Sequence, residues 1–219
     1  MHNSLVYQIA IDGPAGSGKS CIAKLVAKKL GFQFINTGGM FRCYAIALKN
    51  TNLSDEQAVK KVLDNSNVKL QDTFLFLNNK DVTELANSNE IGIFASKVAL
   101  LKSVRDRCLV EQRNIASKQS SVMEGRDTTS VVLPNATLRI FLTASPEVRA
   151  KRRWLQSGQI ESLEKITQDL KERDYQDTNR KIAPLIFTEG CIKVDTDNLT
   201  IEQTVDLIVD LFKKEVINV

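Results

Sequence analysis

The chain has 219 residues, 42% hydrophobic and 26% charged, which is the balance of a water-soluble globular protein with one sizeable core. Its net charge of +4 is modest and suits a small anionic substrate as well as a nucleic acid, so charge alone selects neither. No apolar run approaches the roughly 18 residues of a membrane span, and Gln8 and Asp12 interrupt the short apolar N-terminal stretch, so neither a membrane partner nor a signal peptide is expected.

In chain order, Ile9–Ile11 reads as a buried strand running into Gly13-Pro14-Ala15-Gly16-Ser17-Gly18-Lys19-Ser20. That octapeptide fits the phosphate-binding P-loop pattern, in the strand–loop–helix setting the pattern requires. Its glycines allow successive backbone N–H groups to face one anion, and the helix beginning after Gly18 directs its positive end to the same place. Lys19 can reach the β- and γ-phosphates of a nucleoside triphosphate, and the Ser20 hydroxyl can ligate Mg²⁺. Ile22, Ala23, Leu25, Val26, Ala27 and Leu30 give the next helix an apolar face, and Gly31 ends it. Phe32–Ile35 reads as a second strand, followed by a helix that Thr37 is placed to cap and from which Arg42 projects.

Further on, Val68–Val82 reads as a small hairpin insert, with Thr73-Phe74-Leu75-Phe76-Leu77 turning at Asn78-Asn79. Ser121–Met123 is a short buried strand ending at Glu124-Gly125-Arg126-Asp127, the kind of position where ligand sites of α/β sheets cluster. Leu138–Leu142 is another strand, with Ser145 as N-cap and Pro146 at the first position of the helix that follows. On that helix Arg149, Arg152 and Arg153 fall at i, i+3 and i+4. The polar, basic region Lys151–Arg180, with Gly158 in its middle, suits a mobile flap and contains a second set at helical spacing, Arg173, Asp174, Asp177 and Arg180. Cys191–Val194 reads as the last strand and Ile201–Val216 as the closing helix. Alternating strands and helices predict an α/β fold, a parallel sheet flanked by helices.

Taken singly, each basic cluster is also explained by surface ion pairs or a solvated helix face. Beside a phosphate loop, the clusters together describe a site for two polyanions, with guanidinium forks on phosphate oxygens. Cys21, Cys43, Cys108 and Cys191 are widely spaced and the single histidine is His2, so a zinc site, a disulfide framework and imidazole catalysis are not expected. Phosphoryl transfer needs none of these, because it depends on positioning and on cations around the transferring group.

The sequence resembles the bacterial cytidylate kinases over nearly its whole length. The resemblance rests on IAIDGPAGSGKS at Ile9–Ser20, NTGGMFR at Asn36–Arg42 and EGRDTTSVVLP at Glu124–Pro134, with LRIFLTASPEVRAKRR at Leu138–Arg153 and KERDYQDTNRKIAPL at Lys171–Leu185. It implies a single P-loop kinase domain over 1–219, with a small nucleoside-monophosphate-binding insert at about 66–96 and a short lid at about 151–165. The activity implied is transfer of the γ-phosphoryl group of ATP, with Mg²⁺, to CMP or dCMP, by a cytoplasmic monomer with no nucleic-acid partner.

On this resemblance Asp12–Ser20 hold ATP, with Lys19 following the phosphoryl group, and Arg149, Arg152 and Arg153 close over it. Arg42 and Arg126 grip the acceptor phosphate beside Thr37. Ser96, Arg105 and Asp127 read the cytosine edge, Arg180 lies at the acceptor, and Arg173 and Asp177 lie near the pentose. The family usually has Asp, Ala and Tyr where this chain has Asn36, Gly39 and Phe41, and it tends to Ile-Gly-Thr where this chain has Thr128-Thr129-Ser130. If that glycine takes a positive φ, Thr129 is expected to be strained or the loop to differ. Another small-molecule P-loop kinase, such as one for UMP, shikimate or dephospho-coenzyme A, would differ in what sits in the acceptor pocket, for which the GRD element and the 173–180 cluster favour a nucleotide. A GTPase would need an N-K-x-D guanine reader, and Asn78-Asn79-Lys80-Asp81 has the wrong spacing. A nucleic-acid-dependent ATPase would show a basic stripe with exposed aromatics, whereas aromatics make up 6% of this chain and are expected to be mostly buried.

Overall fold

The computed structural model describes residues 5–71 and 73–217; His2 lies outside them. β1 (Gln8–Asp12) leads into α1 (Lys19–Leu30), β2 (Gln33–Asn36) and α2 (Thr37–Leu48). Next come α3 (Glu56–Asp64), β3 (Val68–Gln71), β4 (Phe74–Leu77), β5 (Lys80–Asp81), α4 (Thr83–Asn87), α5 (Asn89–Val98) and α6 (Lys102–Ala116). β6 (Ser121–Gly125), a π-helical turn at Thr128–Val132, β7 (Leu138–Thr143), α7 (Pro146–Gln156), α8 (Leu163–Asn179), β8 (Ile192–Asp195) and α9 (Ile201–Ile217) complete the chain.

The main sheet has five strands in the order β2-β6-β1-β7-β8, and β1 pairs in parallel with both β6 and β7, as β7 does with β8. Ile9, Ala10 and Ile11 of β1 are fully buried, as are Val122 and Met123 of β6 and Ile140 and Leu142 of β7. Continuous apolar runs of this kind mark parallel strands covered on both faces. Register sets the later chemistry: Asp12 lies opposite Gly125, so the loops leaving β1 and β6 start side by side at the carboxyl ends of the strands. Gly31 ends α1 in a left-handed C-cap (φ 69°). Ser145 caps α7, its hydroxyl accepting from the Val148 N–H, with Pro146 following.

By its internal contacts the chain forms two compact units, one of the described residues up to Gln33 and from Gln119 onward, the other Phe34–Lys118. The second has its own core, built on Met40, Tyr44, Leu48, Val59, Leu63, Ile91, Val98 and Val104. It also carries a separate antiparallel sheet, β3-β4-β5.

Three expectations change here. The hairpin is present as β4–β5, with Asn78 and Asn79 both at positive φ (51° and 64°) as a two-residue turn demands. It is joined by a further strand, β3, because Val68-Lys69-Leu70-Gln71 alternates apolar and polar residues and pairs with Phe74–Leu77. Asn36, not Thr37, caps α2: Asn36 is still extended, and its Oδ1 accepts from the Gly39 N–H at 3.0 Å, while Thr37 is already the first helical residue. Lastly, Phe74, Tyr175 and Phe187 are exposed rather than buried, Phe187 keeping an edge-to-face contact with Phe141.

Candidate active site

Within the first unit the loop between β1 and α1 has the backbone its glycines permit. Gly13, Gly16 and Gly18 sit at φ of 154°, 74° and 87°, a left-handed region in which side chains are strained. Gly13 is fixed sterically as well, since a Cβ there would lie 1.9 Å from the Leu142 carbonyl oxygen. Lys19 is 5% exposed, and its ammonium donates to the Pro14 carbonyl at 2.7 Å and to Ser17 Oγ at 3.4 Å. Burial first, then repulsion from Arg126, pushes the Lys19 amine down to about 7, against the attraction of Glu124 and Asp12. A buried cation with neutral oxygens as its hydrogen-bond acceptors is a group that an incoming anion would stabilise strongly.

Asp12, at the end of β1, is fully buried and anchors the neighbouring loop. Its Oδ1 accepts from the Thr128 N–H at 3.0 Å, and its Oδ2 accepts from the Thr129 N–H and hydroxyl at 2.6 and 2.7 Å. Burial pushes the Asp12 carboxyl upward, opposed by the three hydrogen bonds, which favour the ionised form. Asp12 is therefore the anchor of the Gly125-Arg126-Asp127 segment as well as the start of the phosphate loop. Thr129 is fully buried and is not among the non-glycine residues with positive φ. The expected strain is absent because the loop takes a π-helical turn, and its hydroxyl becomes a ligand of Asp12.

Three arginines of this unit, Arg126, Arg149 and Arg180, are paired with carboxylates. Arg126 donates from Nε to Asp177 at 2.7 Å, and Arg180 meets Asp127 at 3.3 Å and Asp177 at 3.8 Å. Arg149, 5% exposed, donates to the Ala144 and Ala15 carbonyls and to Asp174. Arg152 binds the Thr196 hydroxyl and carbonyl, while Arg153 is exposed. Thus Arg126, Asp127, Asp177 and Arg180 come together, and Arg149 comes to the phosphate loop, but the three arginines of α7 go to three different surroundings. Arg173 lies on α8 and adds to the field that lowers the Lys19 amine. Past α8, Ala183 is held at φ 51°, with its carbonyl accepting from Arg180 Nε at 2.6 Å, a conformation alanine adopts only when its surroundings impose it.

In the second unit, Arg42 donates to the Ala86 carbonyl and lies over Gly92, where an added Cβ would sit 3.2 Å from its Nη2. Ser96 is exposed and donates to the Gly92 carbonyl at 3.3 Å, so Arg42 and Ser96 converge on one turn of α5. Arg105 is buried, donates to the Ala99 carbonyl and lies 5.5 Å from the centre of the Phe41 ring. Phe41 thus serves by its ring face, which needs no hydroxyl. Thr37 is buried at the start of α2.

Sequence reasoning did not assign three residues of the first unit. Glu124 Oε1 accepts from the Ser20 hydroxyl at 2.8 Å; an acidic residue closing a buried strand beside a phosphate loop was its available signal. Asp174 and Thr129 act through contacts between distant segments, which no local pattern reveals. The loop's positive-φ glycines and the buried Lys19 fit a polyphosphate. The Ser20 hydroxyl beside the Glu124 carboxylate supplies the hard oxygen donors that suit Mg²⁺. Among the described residues no group of three or more His, Cys, Asp and Glu side chains gathers as a metal site, and Mg²⁺ bound to a nucleotide requires none, since phosphates and water supply most of its ligands.

A parallel sheet whose first strand turns through this loop into a helix, with buried cations around it, defines a P-loop kinase. The gluconokinase of Sinorhizobium meliloti shares the fold, with a TM-score of 0.50 at 15% identity over 97% of this chain and 94% of its own. The sequence profile of the cytidylate kinase family matches residues 9–214. The chain is 42% identical over 211 residues to the cytidylate kinase of Fervidobacterium nodosum, covering 94% of this chain and 96% of the relative. It is 43% identical over 210 residues to that of Mycoplasmoides gallisepticum, covering 94% and 93%. The chain belongs to the cytidylate kinase family.

Two expected outcomes follow from this geometry. Thr129→Val removes one of three donors from a buried carboxylate and should lower unfolding stability by about 1–3 kcal/mol, while Thr129→Ser stays close to the parent; equal urea midpoints for the Val and Ser variants would contradict the Asp12 contact. A folded-state Lys19 amine near 7, below the usual lysine range, means that polyphosphate binding raises it again and takes up a proton above that pH but not well below it. Calorimetry at about pH 8.5 in buffers of different ionisation enthalpy should show uptake approaching one proton, lost in Lys19→Met; no uptake by the parent chain would contradict a neutralised Lys19.

Proposed function

We propose that this protein transfers the γ-phosphoryl group of MgATP to CMP or dCMP, giving ADP and CDP or dCDP, as a cytoplasmic, monomeric enzyme of pyrimidine nucleotide metabolism. The observation that carries this reading is membership of the family from the phosphate loop through α9, with residues 9–214 matched. Two polyanions repel each other strongly unless cations lie between them, and the buried Lys19 and the Arg126 loop anchored on Asp12 supply cations on rigid elements.

The donor's phosphates are held by the backbone of Asp12–Ser20, with Lys19 on the β- and γ-phosphates and Ser20, supported by Glu124, at the metal. Ser20 would hold Mg²⁺, which would neutralise charge on the donor's phosphates. Arg42 and Arg126 hold the acceptor phosphate, whose oxyanion attacks the γ-phosphorus as the bond to the β–γ bridging oxygen breaks. The acceptor is already ionised, so no general base is required. Arg126 must exchange Asp177 for phosphate, and Arg180 and Asp127 are placed to part in the same way; this exchange favours a dianionic acceptor over a neutral sugar. Thr37, Ser96, Arg105, Asp127, Arg173, Asp177 and Arg180 are assigned to acceptor recognition. Residues 66–96 form the nucleoside-monophosphate insert, and residues 151–165 a lid that, with Arg149, Arg152 and Arg153, excludes water so that ATP is not hydrolysed.

ADP formation from MgATP, measured against CMP, dCMP, UMP, AMP, GMP and no acceptor, tests the assignment. Turnover should be strong with CMP and dCMP and low without an acceptor, and Lys19→Ala or Arg126→Ala should each lower kcat by about 100-fold or more. Preference for another acceptor, acceptor-independent hydrolysis, or near-normal turnover in those variants would overturn the corresponding assignment.

A further inference from the structure

Asp174 and Asp177 lie three residues apart on α8, and Arg180 is the extended residue that ends it; together the three reach two parts of the site. Asp177 accepts from Arg126 and Arg180 donates to Asp127, so both hold the loop that leaves β6. Asp174 goes instead to the phosphate loop. Its Oδ1 accepts from the Ala15 N–H at 2.9 Å, and its Oδ2 accepts from Arg149 Nη1 at 2.6 Å. The same Arg149 nitrogen donates to the Ala15 carbonyl at 2.8 Å, and Arg149 Nε to the Ala144 carbonyl at 3.0 Å. The residue Ala15 is therefore gripped twice, its N–H by a carboxylate and its carbonyl by the arginine paired with that carboxylate.

Packing supports the same grip. Ala15 is 2% exposed and shares an apolar cluster with Ala150, Ile166 and Leu170, against which Trp154 packs. α7 and α8 thus meet over the loop, with the ion pair at one side of the contact. A buried arginine that loses its carboxylate is left as an uncompensated charge, so the loop, α7 and α8 depend jointly on Asp174.

We propose that Asp174 is a positioning residue for the donor phosphates, and that α8 is a strut fixing the phosphate loop relative to the arginine loop at 125–127. The proposal rests on the phosphoryl-transfer reading above. Transfer depends on both loops holding their phosphates in line, and a shift of about 1 Å in such an arrangement can cost about 100-fold in rate. Removing the Asp174 charge loosens the donor side and leaves Asp177 and Arg180 where they are.

The test compares the parent chain with Asp174→Asn and Asp174→Glu in three measurements. These are binding of a non-hydrolysable MgATP analogue by Trp154 emission and calorimetry, binding of CMP alone by calorimetry, and kcat with the KM of each substrate. Asp174→Asn should weaken analogue binding and raise the ATP KM about tenfold or more and lower kcat, with CMP affinity changed by less than about twofold; Asp174→Glu, which keeps the charge, should recover part of the loss. Unchanged donor affinity and kcat in Asp174→Asn would overturn the proposal. Equal loss of donor and CMP binding, in step with a lowered unfolding midpoint, would also overturn it, because that is what a merely structural residue does. Should Asp174→Asn fail to fold, Asp174→Glu decides by the same split between donor and acceptor. If the parent chain binds the analogue but not CMP, the acceptor assignment fails, while the donor measurements still judge Asp174.

Discussion

A site for two polyanions has to bury cations before the anions arrive, and the first unit is arranged around that demand. Lys19 and Arg149 are almost wholly buried and Arg126 largely so. Left unpaired, such charges would cost far more than a marginally stable fold can bear. The chain offsets them in two ways. The arginines are matched with carboxylates, Arg126 with Asp177, Arg149 with Asp174 and Arg180 with Asp127. Lys19 has no such ion pair among the described contacts, and burial moves its amine toward neutrality. The carboxylates that balance the arginines are borrowed from α8 and from the arginine loop itself, so the ion pairs that offset the buried charge also tie these segments together.

Asp12 is the hinge of this arrangement in the architectural sense. Because β1 and β6 are adjacent and parallel, with Asp12 opposite Gly125, one carboxylate at the end of β1 can receive the backbone of the turn that follows Arg126. The phosphate loop and the arginine loop are therefore joined through a single buried side chain. The departures from the family pattern fit this frame. Asn36 keeps the capping oxygen that an aspartate would provide, and Phe41 presents a ring to Arg105. A Cβ at Gly39 would lie 2.8 Å from Leu75 Cδ2, so glycine matches the close approach of β4 to α2, and an alanine there would require Leu75 to move. At Thr129 a side chain takes part in binding Asp12 where the family has none.

The parts of this structure that were legible in the sequence are those fixed by local chemistry. The glycine pattern from Gly13 to Gly18 dictates a backbone, Ser145-Pro146 dictates a helix start, and Asn78-Asn79 dictates a tight turn. What was not legible depends on which segments become neighbours. The periodicity around Asn36 and Thr37 suits a cap at either residue, and only the backbone shows that the helix has begun by Thr37. Three arginines at i, i+3 and i+4 look equivalent on a helical wheel, yet Arg149 turns to the phosphate loop, Arg152 to Thr196 and Arg153 to solvent. The helices between Glu56 and Ala116 also went unread, and with them the core of the second unit.

The phosphoryl group passes from ATP to a cytidine monophosphate, and ³¹P NMR follows that group without an auxiliary enzyme. With MgATP and CMP, the γ-phosphorus signal of ATP should fall while the two coupled signals of CDP rise in equal amount, with no build-up of inorganic phosphate. Inorganic phosphate accumulating in place of CDP, or ATP and CMP both unchanged, would contradict it.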